Sequence, residues 1–188
     1  MSPKFSADAA LQQLLEDGLD QLAVDCSGRQ VEQLLDYLSL LVTWNSAYNL
    51  TAIRDPEKMV ALHLLDSLAI LPYIKGEHLI DVGTGAGLPG IPLAIMFPEK
   101  NFKLLDSNGK KTRFLFQAKS QLGLKNLTEV QARVEQFTPE QTLDTVLSRA
   151  FSSVAEMVAL CKHLLSGDGR FLAMKGKFPQ TELSLLEK

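Results

Sequence analysis

Residues 79–92 read Leu-Ile-Asp-Val-Gly-Thr-Gly-Ala-Gly-Leu-Pro-Gly-Ile-Pro, an apolar strand that runs through Asp81 into a glycine-rich turn. Glycines at the alternate positions Gly83, Gly85 and Gly87 let the backbone bend sharply and let a ligand lie against it without Cβ interference. An acidic residue just ahead of the first glycine suits a ligand with an amine or hydroxyls. A turn built for pyrophosphate alone avoids that charge. The stretch therefore points to S-adenosylmethionine (SAM) ahead of a dinucleotide.

Downstream of this turn, short apolar runs alternate with helical patterns. The sequence predicts strands at 78–82, 102–106, 128–132, 144–148 and 170–175, with helices near 88–97, 109–122 and 152–165. Such alternation implies parallel strands with crossover helices, an α/β doubly wound, Rossmann-like sheet. Ligands of these sheets bind at the carboxyl ends of the strands, where Asp81, Asp106, Ala132–Arg133 and Ser148–Arg149 fall together.

Upstream, the chain reads as helical. A weaker helix covers 8–22, with Gly18 as a break. Ser27-Gly28-Arg29-Gln30 has capping-box spacing, and Val31, Leu34, Leu35, Leu38 and Leu41 then recur at helical intervals up to a turn near 45–49. Asp55-Pro56 starts another helix, which runs to Pro72. Residues 1–75 are thus expected to form a helical cap on a SAM-binding core at 76–188, the two making one unit.

At 188 residues and 46% hydrophobic, the chain can bury a substantial core. No apolar run approaches the roughly 20 residues that span a bilayer, and no basic-then-apolar leader opens the chain. Two distant cysteines, Cys26 and Cys161, fit a reducing cytoplasm without structural zinc. The net charge of −3 conceals a division: residues 1–70 hold four basic against ten acidic side chains, whereas 100–125 hold seven basic against Asp106 alone. That basic run is either a solvated helix face or a phosphate-facing patch.

Gly85-Ala-Gly87-Leu-Pro-Gly90 also satisfies G-x-G-x-x-G, so a nicotinamide dehydrogenase competes. Asp106, at the end of the second strand, suits ribose hydroxyls in either class. A short-chain dehydrogenase needs Tyr-x-x-x-Lys after the fourth strand, but Tyr37, Tyr48 and Tyr73 all precede the glycine turn. With SAM as cofactor, absences narrow the acceptor. The position of the Asn-Pro-Pro-Tyr motif of amine methylation reads Leu-Ser-Arg-Ala-Phe (147–151). Neither cysteine falls at a strand end as a C5 nucleophile, and no metal-ligand cluster or general base marks a hydroxyl acceptor. An acceptor that is already nucleophilic, such as a ring nitrogen, survives, and its catalysis is chiefly positioning.

His63, Asp66 and Ser67 share one helix face. They either brace two helices or roof the site together with Asn49. Arg149, a cation at a strand end, has the same ambiguity: it can pair with Asp106 or Glu135, or contact RNA or cofactor.

Trp44-Asn-x-x-x-Asn49-Leu-Thr, His63-x-x-Asp66-Ser67-Leu, the glycine stretch, Leu105-Asp106-Ser, Arg133-Val134-Glu135 and Ser148-Arg149-Ala-Phe occur in that order. Together they resemble the glucose-inhibited division protein B family over about residues 30–178. That family comprises bacterial methyltransferases of guanine N7 in small-subunit ribosomal RNA. The resemblance implies a SAM-dependent enzyme that forms 7-methylguanosine in the decoding-region loop of 16S rRNA, with naked RNA or the small subunit as partner.

It also implies a cofactor site at Gly83, Leu88, the Val134–Glu135 pair and Arg149, to which Asp81, Gly85, Gly87 and Asp106 are added here. Arg149, His63 and Asn49 are the expected substrate-side residues, and Lys110, Lys111 and Arg113 the expected RNA contacts. A cytoplasmic monomer without a metal is expected. Members of that family tend to continue past the fifth strand with an antiparallel pair, so the end at Lys188 suggests missing C-terminal strands. A methyltransferase of another RNA position or of a small molecule, and a SAM-binding module without turnover, are the alternatives.

Overall fold

The computed structural model describes Phe5, residues 8–149, Phe151 and residues 153–183. Ala150 of the Ser148–Phe151 motif, Ser152 at the start of an expected helix, and both chain ends lie outside the described residues.

Five strands, β1 (His78–Val82), β2 (Asn101–Asp106), β3 (Leu127–Gln131), β4 (Leu143–Ser148) and β5 (Leu165–Ala173), form one sheet in the order β3-β2-β1-β4-β5. Every pairing is parallel. The order reverses between β1 and β4, which makes the carboxyl ends of those strands the switch point where such sheets open a crevice.

Alternation along β1 sorts its side chains between two apolar layers. Leu79 joins the layer beneath α1 (Ala9–Gln21), α2 (Gly28–Tyr48), α5 (Gly90–Met96) and α6 (Gly109–Leu122). Ile80 and Val82 face the other layer, where Met157 and Cys161 of α7 (Val154–Cys161) pack. Asp81 takes its place on the first face, beneath the cap.

The first two helices start where their capping residues predict. Asp8 accepts from the amides of Ala10 and Leu11, and Ser27 with Gln30 completes the capping box of α2. The same Gln30 donates from Nε2 to the Ile95 and Met96 carbonyls, and Gln33 donates to the Leu122 carbonyl at 2.9 Å. One helix thus satisfies the orphan carbonyls at the ends of two others. Gly18 does not break α1 as expected. It lies in its interior, where an added Cβ would strike the Leu65 side chain, so the missing side chain lets the cap helices approach closely.

The expected single helix over 55–71 is instead composite. α3 (Pro56–Met59) widens into a π-helical stretch, Val60–Leu65, before α4 (Asp66–Leu68). The fifth strand begins earlier than expected, at Leu165, because Gly167 and Gly169 disguise its first half. The helix before it ends at Cys161, not 165. A last short helix, α8 (Gln180–Leu183), caps α7: Glu182 accepts from the Val154 amide at 2.6 Å. Among the described residues no helix is long and apolar enough to cross a membrane.

Candidate functional site

β1 delivers Asp81 to the base of the glycine turn, fully buried. Its Oδ2 accepts from the Thr84 hydroxyl at 2.7 Å and from the Gly90 amide at 2.9 Å, so one oxygen ties the two ends of the turn together. Its Oδ1 is buried without a hydrogen-bond partner in the structure. Burial pushes the carboxyl up to about 6, against the downward pull of Thr84, Gly90 and the Arg149 charge.

The turn is pinned laterally to β2, since the Gly83 and Thr84 amides both donate to the Leu105 carbonyl. The Gly85 amide donates to Asp106 Oδ2 at 3.0 Å, and the Asn108 amide to Oδ1 at 2.8 Å. The glycines differ in what they do. Gly87 (φ +88°) lies against Ile91 and Leu115, where a Cβ would come within 2.5 Å of Ile91. Gly85 (φ +62°) is open: a Cβ there would meet nothing nearer than the Gly83 carbonyl at 3.9 Å. Gly87 serves packing and Gly85 lines the crevice. Leu88 is buried behind the turn and belongs to the cap-side layer.

Lys111 does not face outward as the RNA reading expected. Its Nζ lies 3.5 Å from Asp106 Oδ2 and about 4.0 Å from where a Gly85 Cβ would stand. The reason is local: Asn108 caps α6 through the Lys110 amide, which turns position 111 back toward a carboxylate that is only 7% exposed. A carboxylate so enclosed favours a neighbouring cation. Lys110 and Arg113 remain exposed.

Val134 and Glu135 sit in a short 3₁₀ turn just beyond β3, Val134 buried and Glu135 exposed. Arg149 follows β4 and pairs with neither Asp106 nor Glu135. Its Nη1 donates to the Leu62 carbonyl at 3.2 Å and meets Asp66 Oδ2 at 3.3 Å. The Leu62 carbonyl belongs to the π-helical stretch. Arg149 thereby bridges the sheet edge to the cap.

His63 is nearly buried, with both ring nitrogens engaged inside the cap: Nδ1 lies 3.0 Å from the Leu62 carbonyl and Nε2 2.9 Å from the Thr51 hydroxyl. Burial pulls its pKa below the usual value. These bonds tie His63 to its own helix and to the loop that follows α2. Asn49 is the left-handed C-cap of α2, exposed and accepting from Arg54 at 3.0 Å. Neither residue is aimed at the turn by any of these bonds.

Sequence reasoning missed Tyr37, weighed only as an absent dehydrogenase tyrosine. Fully buried on α2, it donates its hydroxyl to the Ala86 carbonyl at 2.8 Å and packs its ring near Phe114. The cap thus holds the glycine turn from above while Asp81 holds it from below. Tyr37→Phe is expected to lower unfolding stability by about 1 kcal/mol and to weaken cofactor affinity several-fold, read by denaturant titration and calorimetry. Unchanged cofactor affinity would show that the hydroxyl does not position the turn. A concavity lined by Ser27, Gln30, Ile95 and Asn126 opens at the opposite rim, where the strands begin, and takes no part in this arrangement.

The family described as rRNA small subunit methyltransferase G matches residues 30–188. The chain belongs to that family. Relatives named ribosomal RNA small subunit methyltransferase G include those of Alteromonas mediterranea, 56% identical over 92% of this chain and 82% of its own, and of Legionella pneumophila, 59% identical over the same shares. Among solved structures, coclaurine N-methyltransferase bound to N-methylheliamine and SAH is similar, with TM-score 0.55 and 13% identity over 91% of this chain and 57% of that one. A SAM-dependent methyltransferase from Aquifex aeolicus gives TM-score 0.51 and 22% identity over 66% and 78%. The fold is that of the SAM-dependent methyltransferases.

Two features of the crevice suit SAM. The orphaned Asp81 Oδ1 lacks the donor that a buried carboxylate oxygen needs, and an amine or an ordered water answers it. The open side of Gly85 leaves a cradle that any side chain would fill. In this member of the methyltransferase G family both features lie at the carboxyl ends of β1 and β2, on the glycine turn.

Proposed function

We propose that this chain methylates N7 of a guanine in small-subunit ribosomal RNA, acting as a cytoplasmic monomer. The observation that carries the reading is identity of 56–59% across 92% of the chain with relatives named ribosomal RNA small subunit methyltransferase G. SAM, when bound, supplies a methyl carbon activated by its sulfonium. Gly83, Gly85 and Leu88 would hold it along the turn, Asp81 beneath and Asp106 beside it, with Val134–Glu135 and Arg149 closing the edge.

The choice of a ring nitrogen is supported by what the side chains offer. Burial pushes the thiols of Cys26 and Cys161 up to about 11, so neither is a ready thiolate near neutral pH. His63 spends both nitrogens inside the cap. An acceptor that brings its own lone pair asks the protein only for alignment, and guanine N7 is such an acceptor. Arg149, anchored on Asp66, is the proposed residue through which the cap and the sheet edge keep one spacing around the acceptor.

Incubating the protein with unmodified small subunits and methyl-labelled SAM, then digesting the RNA to nucleosides, tests the reading. Label in 7-methylguanosine is expected. Label in another nucleoside contradicts the acceptor, and SAM binding without transfer supports a non-catalytic module. The exposed Lys110 and Arg113 are the proposed phosphate contacts at the rim. Replacing both with Gln is expected to weaken RNA association and flatten its salt dependence by about one to two units of slope. Lys111→Gln is expected to leave that slope unchanged, because its ammonium is turned toward Asp106.

A further inference from the structure

We propose that an unpaired base of the RNA substrate stacks on Phe116, on the outer face of α6, with its flanking phosphates held by Arg113 and Lys125. The inference rests on the reading of the chain as an RNA methyltransferase and assigns the surface by which it grips RNA away from the reacting base.

Phe116 is 59% exposed although it sits in the middle of a regular helix. Its neighbours Phe114, Leu115, Ala118 and Leu122 are buried on the opposite face. With 3.6 residues per turn, Lys110, Arg113, Phe116 and Ser120 form one outward ridge, and all four are exposed. A single exposed phenyl is ordinary on a protein surface. This one lies beside a mostly apolar shelf shared with Gly123 and Leu124 and flanked by Lys119 and Lys125.

Charge selects the occupant. From Ser107 to Thr128 the chain contains five cations and no acidic residue, in a protein of net charge −3. Two of the five are paired, Lys111 with Asp106 and Lys119 with Glu129. Lys110, Arg113 and Lys125 have no ion pair among the described residues. An aromatic face between cations that lack counter-ions is the arrangement that takes a base on its π-surface and the adjoining phosphates on its flanks. The ridge also begins in the right place. Asn108, which caps α6, donates its amide to Asp106 at the crevice, and about two further turns carry the helix roughly 12 Å along its axis to Phe116. An RNA strand leaving the crevice along α6 meets Arg113 and then the phenyl ring.

Phe116→Ala is expected to weaken binding of protein-free small-subunit RNA about 10-fold. KM for RNA rises in proportion, while kcat, SAM affinity and thermal stability stay unchanged. The salt slope also stays the same, which separates stacking from the charge loss of Arg113→Gln. Phe116→Trp is expected to retain affinity, and the added indole to be quenched by an unstructured RNA oligonucleotide but not by the same sequence annealed into duplex.

Wild-type methylation of small subunits with unaltered RNA affinity in Phe116→Ala overturns this proposal and leaves the enzyme reading intact. Absence of methylation by the wild type overturns the enzyme reading itself. A loss confined to assembled subunits, with protein-free RNA bound normally, assigns the shelf to a protein partner and likewise overturns the proposal.

Discussion

Gly85→Asp is expected to abolish SAM binding while the chain stays folded. The position has φ +62° and an unobstructed side, with no atom nearer than 3.9 Å to an added Cβ. The folded state therefore suffers little beyond the left-handed backbone cost of about 1 kcal/mol. The new carboxylate projects into the space where the cofactor would lie on bare backbone. A steric block of that kind removes 3 kcal/mol or more of binding, roughly a 100-fold loss. Gly87→Asp gives the opposite pattern. Its side chain collides with Ile91 and Leu115 inside the packed layer, so the protein loses stability first. Calorimetry with SAM, set beside thermal unfolding, reads both. Wild-type affinity in Gly85→Asp would remove the glycine turn from the cofactor site.

Asp81→Asn is expected to separate stability from binding. The wild-type carboxyl, raised by burial to about 6 from an ordinary 3.8, keeps a proton in the folded state over a range where the unfolded chain has lost it. The contribution of this one group to stability is therefore full below about pH 4 and is lost as pH rises through about 6. Across that window the loss is on the order of 3 kcal/mol. Asparagine retains an oxygen acceptor for Thr84 and Gly90 and has no charge to bury, so that decline disappears. Its buried amide, lacking an acceptor, offsets part of the gain.

The variant is expected to be no less stable than wild type at pH 8. It binds SAM about 10- to 100-fold more weakly, because a charged hydrogen-bond acceptor for the ligand amine is gone. In the wild type the affinity for SAM strengthens as pH rises through about 6, and in the variant that dependence is absent. Equal affinity for both proteins at pH 8 would assign Asp81 to loop architecture alone.

These two residues illustrate how far the sequence could be read. The spacing of Asp81, the alternate glycines and Asp106 revealed the strand, the turn and the crevice, because each requirement is local: a period of two, a bend, a carboxylate at a strand end. Ser27 with Gln30 and Asp55 with Pro56 were equally legible, since capping operates within one helical turn. Long-range partnerships were not. Tyr37 meets Ala86 across 49 positions, and nothing near Tyr37 announces a hydroxyl donor to a glycine turn.

Lys111 belonged to a basic run, and only the phase of α6 set by its Asn108 cap separates it from Lys110 and Arg113. The π-helical widening at Val60–Leu65 is hidden in an ordinary amphipathic pattern, yet it contains the Leu62 carbonyl that accepts from Arg149. Gly18 reads as a helix breaker in the sequence, whereas in the fold it lies inside α1 with Leu65 against it. The first half of β5 was masked by its glycines.

The central claim is that the carboxyl edge between β1 and β4 receives SAM, and a crystal structure of the protein soaked with S-adenosylhomocysteine tests it most directly. Density is predicted across Gly85, with the ribose hydroxyls at Asp106 and the amino group served by Asp81. A crevice left empty under saturating ligand, or density only at the opposite rim beside Ser27 and Asn126, would contradict it.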